Sequence, residues 1–204
     1  MDQRAVPASA LEAALAAIDD ANRLDPNTEM IDRTPVPKEL HRGRAAHRWL
    51  LRLDPAATDA QQLAARAHHL RRWTRPRDAY PSGRAGYLRW RAAAKEAHAA
   101  EAAELLESAG VAGDVIGQCR RLILKEGLVR DPAQRDPAVQ AHEDALCLVF
   151  FEFDALELAG DLGGERTATA VRRTLDKMSD EGRRRLLGDD MVPIPVLDLV
   201  RQFC

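Results

Sequence analysis

Apolar residues recur at three- and four-residue spacing along almost the whole chain, and nowhere alternate over a useful length, which restricts the fold to helices packed on helices. Leu11, Leu15 and Ile18 trace a first helix, with Ser9 and Glu12 at capping-box spacing, and Asp25-Pro26 stops it. "IDRTPVP" reads as a linker whose Pro37 can enter the first turn of a helix from about Lys38 to Leu53. Thr58 and Gln61 repeat the capping-box spacing before a third helix that carries Leu63, Ala64, Ala67, Leu70 and Trp73. A proline-rich loop over residues 74–83 leads to a long helix from Ala85 to Ser108, and another helix is predicted from Asp114 to Lys125. Pro137 starts a helix that reaches about Ala159; helices over residues 165–178, 180–187 and 195–203 close the chain. The expectation is an all-α fold, HD-like or an irregular bundle, with an N-terminal arm. Residues 1–187 form the helical domain and residues 188–204 an extension packed on it.

A formal net charge of −2 over 204 residues argues against a generic polyanion binder, because the field of the whole molecule is weak. Charge is instead concentrated. "HHLRRWTRPRDAYPSGRAGYLRWR", residues 68–91, holds seven arginines, two tryptophans and two tyrosines against one acid, Asp78. The arm before it is acidic, with Glu12, Asp19, Asp20, Asp25, Glu29 and Asp32. Three readings stay open. Arm and stretch pair across the fold, with the aromatics as core anchors; or the arginine forks bind a phosphate, nucleotide or carboxylate; or aromatics and arginines together hold nucleic acid, the less favoured partner because no known module is visible. For a small anionic ligand the substrate-binding set is Arg72, Arg77, Arg84, Arg91, Tyr87, Trp90 and Lys125.

His69 is expected on the third helix, on the face of Trp73, and His98 in the middle of the long helix with Glu101 three residues on. Glu143 and Asp144 precede the apolar run "ALCLVFF", where an unpaired carboxylate is costly to bury. At least one of the two is therefore expected to be paired with an arginine of the basic stretch or with a metal. Two imidazoles and a carboxylate make a plausible shell for one divalent metal, zinc, manganese or iron. The metal set is His69, His98 and Asp144, with Glu101 and Glu143 as catalytic candidates. His41, His47 and His142 read as surface or packing residues. Cys119, Cys147 and Cys204 are odd in number and widely spaced, which fits reduced thiols in a cytoplasm. No run is long enough for a membrane span and the N-terminus has no signal-peptide pattern.

"IDDANRLDPN", "PKELHRGRAAHRWL", "LAARAHHLRRW", "PRDAYPSGRAGYLRWR", "HAAEAAELLESAG", "EDALCLVFFE" and "DKMSDEGR" resemble, in this order, the blocks of the family known as domain of unknown function 4202, over roughly Ala16 to Leu186. The resemblance implies an all-helical fold and no established activity. His68 stands where the family pattern has glutamine, so the resemblance favours His69 as the functional histidine. "LGDDMVPIPVLDLVRQFC" departs from the pattern and reads as an addition. A fainter likeness is to the HD-domain metal phosphohydrolases, through His69, His98 and Asp144 in that order. Ala99 stands where that family has an aspartate, so Glu101 or Glu143 would have to complete the shell. The function expected is metal-assisted hydrolysis of a small phosphorylated or carboxylated molecule. The alternatives are a non-catalytic anion- or RNA-binding module and an HD-like metal oxygenase.

Overall fold

The computed structural model describes residues 8–162 and 164–202. Among these residues ten α-helices and one two-stranded ribbon account for the regular structure, so the fold is all-α as expected. The chain divides into two compact units, residues up to 47 with 57–126, and residues 48–56 with 127 onward. Residues 188–202 belong to the second unit and are not set apart from it. Among the described residues no helix is long and apolar enough to cross a membrane.

In the first unit, α1 (Ala8–Asn22) contacts α3 (Asp59–Ala67) and α4 (Gly83–Ser108), and α5 (Gly113–Leu124) contacts both α3 and α4. Ile18, Leu63, Leu70, Leu106 and Ile123 fill the space between them and are fully buried. The predicted linker is partly a ribbon: β1 (Thr28–Ile31) pairs antiparallel with β2 (Thr34–Pro37), Ile31 opposite Thr34. Its two-residue loop, Asp32-Arg33, takes positive φ at both positions, 47° and 66°, as a type I′ hairpin requires. With arginine in the place of the usual glycine, and two prolines in the second strand, the segment carries no hairpin signal. Lys38 opens α2 (Lys38–Leu53), whose Glu39 amide is capped from a distance by Asp25 Oδ2 at 3.0 Å.

The third helix is shorter than its periodicity predicts. The Thr58–Gln61 capping box forms and starts it, but α3 ends at Ala67. Arg71 takes the left-handed conformation, φ 51°, and its amide donates to Asn22 Oδ1 at 3.0 Å. Two 3-10 turns follow, Arg72–Thr74 and Arg77–Ala79. His69 therefore lies in the turn after α3, not on a helical face shared with Trp73. Helix α4 buries every fourth residue, Gly86, Trp90, Ala94, His98, Ala102 and Leu106. A Cβ on Gly86 would stand 1.8 Å from the Pro81 carbonyl oxygen. The loop is pressed onto the helix backbone there, and Gly86→Ala is expected to destabilise the protein by about 2–3 kcal/mol in a denaturant titration. A cost below about 0.5 kcal/mol would show that the contact yields freely.

In the second unit, α6 (Pro137–Val149) begins as expected at a proline in the first turn. Asp136 Oδ1 accepts from the amides of Ala138 and Val139. It runs through a π-turn, Phe150–Asp154, into α7 (Ala155–Leu162). Trp49 Nε1 and Arg48 Nη2 donate to the carboxylate of Glu152 in that turn at 2.7–2.8 Å. Helix α8 (Gly164–Leu175) lies on α7, α9 (Asp180–Gly188) on α6, and α10 (Ile194–Arg201) on α7. Trp49, Leu148, Phe151, Val171 and Leu186 are fully buried at its centre.

Candidate functional site

Four side chains meet in the first unit: Glu39 from the first turn of α2, His69 and Arg72 from the turn after α3, and His98 from the middle of α4. His98 is 3 % exposed. Its Nδ1 donates to the Leu70 carbonyl at 2.8 Å, since a carbonyl can only accept. That bond leaves Nε2 as a bare acceptor, and Nε2 is buried without a hydrogen-bond partner. Burial, then the neighbouring His69 ring, hold the imidazole at a pKa of about 3, so His98 is neutral at ordinary pH. The rings of His69 and His98 lie 5.9 Å apart, centre to centre.

His69 bridges a carboxylate and a guanidinium. Arg72 Nη1 is 3.1 Å from its Nε2, and a guanidinium only donates, so Nε2 accepts and Nδ1 carries the proton. That Nδ1 stands 3.3 Å from Glu39 Oε2. Glu39 is 7 % exposed, and burial pushes its carboxyl pKa up against the opposing pull of Arg72 and Arg42. Its Oε1 is 3.8 Å from Arg72 Nε, while Oε2 is buried and accepts no hydrogen bond. The Arg72 guanidinium lies over the Trp90 ring, 4.9 Å from its centre, and Tyr87 packs on the same indole at 5.8 Å. The Trp90 Nε1 donates to the Arg75 carbonyl at 2.9 Å, and Arg75 Nη1 binds Glu101 Oε1 at 2.6 Å. The side chain of Arg72 remains 35 % exposed.

Of the residues singled out from the sequence, His69, His98, Arg72 and Trp90 meet in this cluster, with Tyr87 behind Trp90 and Glu101 tied in through Arg75. The others are placed elsewhere. Arg77 donates to the carbonyls of Tyr80, Pro81 and Gly83, so it staples the proline loop. Arg84 and Arg91 are exposed on α4 and make no ion pair among the described residues. Lys125 is the left-handed C-cap of α5, φ 57°. The acidic arm pairs with arginines outside that stretch: Asp19 accepts from Arg66 at 2.6 and 2.9 Å and from Arg44 at 2.7 and 2.9 Å. Those guanidiniums outweigh the desolvation of the carboxylate and hold its pKa below the usual range.

Glu143 and Asp144 are buried, as expected, but belong to the second unit. Asp144 accepts from the Ser179 amide at 2.9 Å, the Ser179 hydroxyl at 2.5 Å and Gln140 Nε2 at 2.9 Å. Its partners are thus neutral donors, Ser179 at the start of α9 and Gln140 on α6, and not arginines of the basic stretch. Glu143 has Lys177 Nζ at 3.7 Å. Among the described residues no three His, Cys, Asp or Glu side chains are grouped so as to hold a metal ion. Cys119 and Cys147 are buried free thiols, and burial pushes Cys119 up to about 12, far from nucleophilic. Cys204 lies outside the described residues. Glu39 escaped sequence reasoning because an acid in the first turn of a helix is ordinary chemistry for a helix dipole. Only its burial beside two imidazoles marks it.

An all-helical chain with a buried histidine-glutamate-arginine cluster defines a class of site and not yet a lineage. The chain matches the family described as Domain of unknown function (DUF4202) over residues 12–199, and it belongs to that family. The match runs through most of the stretch after Leu186, which is therefore part of the family's own span and not an addition. No curated protein and no solved structure matches the chain.

Proposed function

We propose that this protein is a hydrolase acting on a small phosphorylated or carboxylated molecule at the Glu39–His69–Arg72–His98 cluster. The observation that carries the reading is the buried, partnerless Nε2 of His98. An acceptor withdrawn from water costs about 1–3 kcal/mol unless something donates to it, and such sites cluster where ligands bind. Arg72, whose guanidinium lies over Trp90 and whose side chain is 35 % exposed, supplies the donors for an anion. With a conjugate-acid pKa of about 3, His98 orients a water molecule and does not deprotonate it; Glu39, with its raised pKa, is the stronger base.

The posture of His98 favours a second reading, metal assistance by zinc, manganese or iron. A ring pinned by Nδ1 to a carbonyl with Nε2 open is how metal-ligating histidines are oriented. Against it stands the guanidinium of Arg72 on His69 Nε2, which fills a ligand position and repels a cation, so no catalytic step is assigned to a metal. Elemental analysis of protein purified without a histidine tag separates the two readings. The principal test is thermal denaturation with a panel of phosphomonoesters, nucleotides, carboxylates and short RNAs, followed by hydrolysis assays on the compounds that bind. Arg72→Ala is expected to weaken binding of the active compound at least tenfold. Binding without turnover would leave a non-catalytic anion module; no shift with any compound would leave the cluster a structural one.

A further inference from the structure

Resting on the cluster as the binding site proposed above, we infer that its ligand carries, beside the anionic group, one or more hydroxyls, each donating to one of the open acceptors His98 Nε2 and Glu39 Oε2: a phosphorylated or carboxylated polyol, sugar or hydroxy acid. The balance of donors and acceptors decides the class. The buried atoms left without hydrogen bonds in this region are Nε2 of His98, Oε2 of Glu39, Oε2 of Glu101 and, on the ring beside His69, Nδ1 of His68; the first three are acceptors. Glu101 is three residues after His98 on α4, on the same face. An anion brings only further acceptors. Arginine can receive them, but they cannot satisfy an imidazole lone pair or a carboxylate oxygen. A ligand that binds well must therefore also bring O–H or N–H groups.

The charge around the cluster selects between the two. Arg72 and Arg42 already act on Glu39, and Arg75 already pairs with Glu101, so an ammonium group at either carboxylate would meet a guanidinium. A hydroxyl satisfies the acceptors without adding positive charge. The flanking residues of the buried stripe, Ala94 and Ala102, are small and present no polar group of their own to His98. A ligand without the hydroxyl leaves buried acceptors unpaired, and sites built to pair a hydroxyl reject such analogues strongly.

The experiment compares matched probes by isothermal titration and thermal shift on the full chain: glycerol 3-phosphate against n-propyl phosphate, lactate against propionate, and O-phosphoethanolamine as the ammonium case. The hydroxyl-bearing member of at least one pair should bind at least tenfold tighter than its partner and than the ammonium compound. His98→Asn keeps a donor for the Leu70 carbonyl and removes Nε2; it should shrink that ratio to below threefold, with the plain anion as the reference measured on the same variant. Equal affinities within both pairs, or tighter binding of the ammonium compound, overturn the inference and leave the anion site standing. Binding by none of the probes overturns both. Should His98→Asn fail to fold, Glu39→Gln reads the same ratio from the other acceptor, and an undiminished ratio there overturns the inference.

Discussion

Lowering the pH from 7 to 5 is expected to cost the wild-type protein about 2 kcal/mol through His98 alone, roughly 4–8 °C in Tm for a chain of this size. His98 is buried neutral, with its pKa lowered from 6.5 to about 3. A depressed histidine contributes its full stability above the unfolded value. As pH falls below 6.5 the unfolded chain takes up a proton that the folded chain refuses, and stability drains until pH reaches about 3. Glu39 and Asp144 act in the opposite direction, so the His98 contribution is read as a difference between proteins. His98→Asn should be less stable than wild type at pH 8, because its amide fills the ring's place poorly, and should lose less between pH 7 and 5. Parallel Tm-against-pH curves for the two proteins would mean that the imidazole is solvated or already protonated at neutral pH.

Asp144→Ala is expected to destabilise the second unit by about 3 kcal/mol. Three donors lose their acceptor at once, and hydrogen bonds to a charged group contribute roughly 1.5–3 kcal/mol each before the remaining groups readjust. The Ser179 amide and hydroxyl and Gln140 all lie on this carboxylate, and Ser179 in turn caps α9 through the Gly182 amide. Gly182 is there because a Cβ would stand 2.7 Å from the Asp144 Cγ. Burial, opposed by these hydrogen bonds and reinforced by Glu143, pushes the Asp144 pKa up. A raised carboxyl contributes stability that is present below its unfolded pKa and lost as pH rises through the folded one. Asp144→Asn should therefore cost less than half as much as the alanine change, and the gap to wild type should narrow as pH rises through the folded-state pKa of Asp144. Equal losses for Ala and Asn would show that the charge, and not the acceptor geometry, holds α9 in place. A loss under about 1 kcal/mol for alanine would remove the carboxylate from the fold's essential contacts.

The helices were legible from the sequence because their determinants are local. Pro137 behind Asp136, the Thr58–Gln61 box and the three- and four-residue spacing act within a turn or two, and the chain carries them wherever it goes. The same locality explains the two misreadings. Residues 68–73 keep the apolar spacing of α3, yet the helix stops at Ala67 because Asn22, 49 residues away in sequence, takes the Arg71 amide. The hairpin at Asp32-Arg33 uses left-handed backbone that neither residue advertises.

The sequence by itself determined an all-helical chain with seven arginines, two tryptophans and two tyrosines gathered between residues 68 and 91, and it singled out His69, His98, Arg72 and Trp90. Only the tertiary structure decided what those residues do, because hydrogen-bond satisfaction and desolvation depend on every element that closes over a group. The Leu70 carbonyl chose the tautomer of His98 and exposed its Nε2 as an orphan. The burial of Glu39 turned an ordinary first-turn acid into a member of the site. Arg77, by its composition as good a clamp as Arg72, became a loop staple because three carbonyls turned toward it.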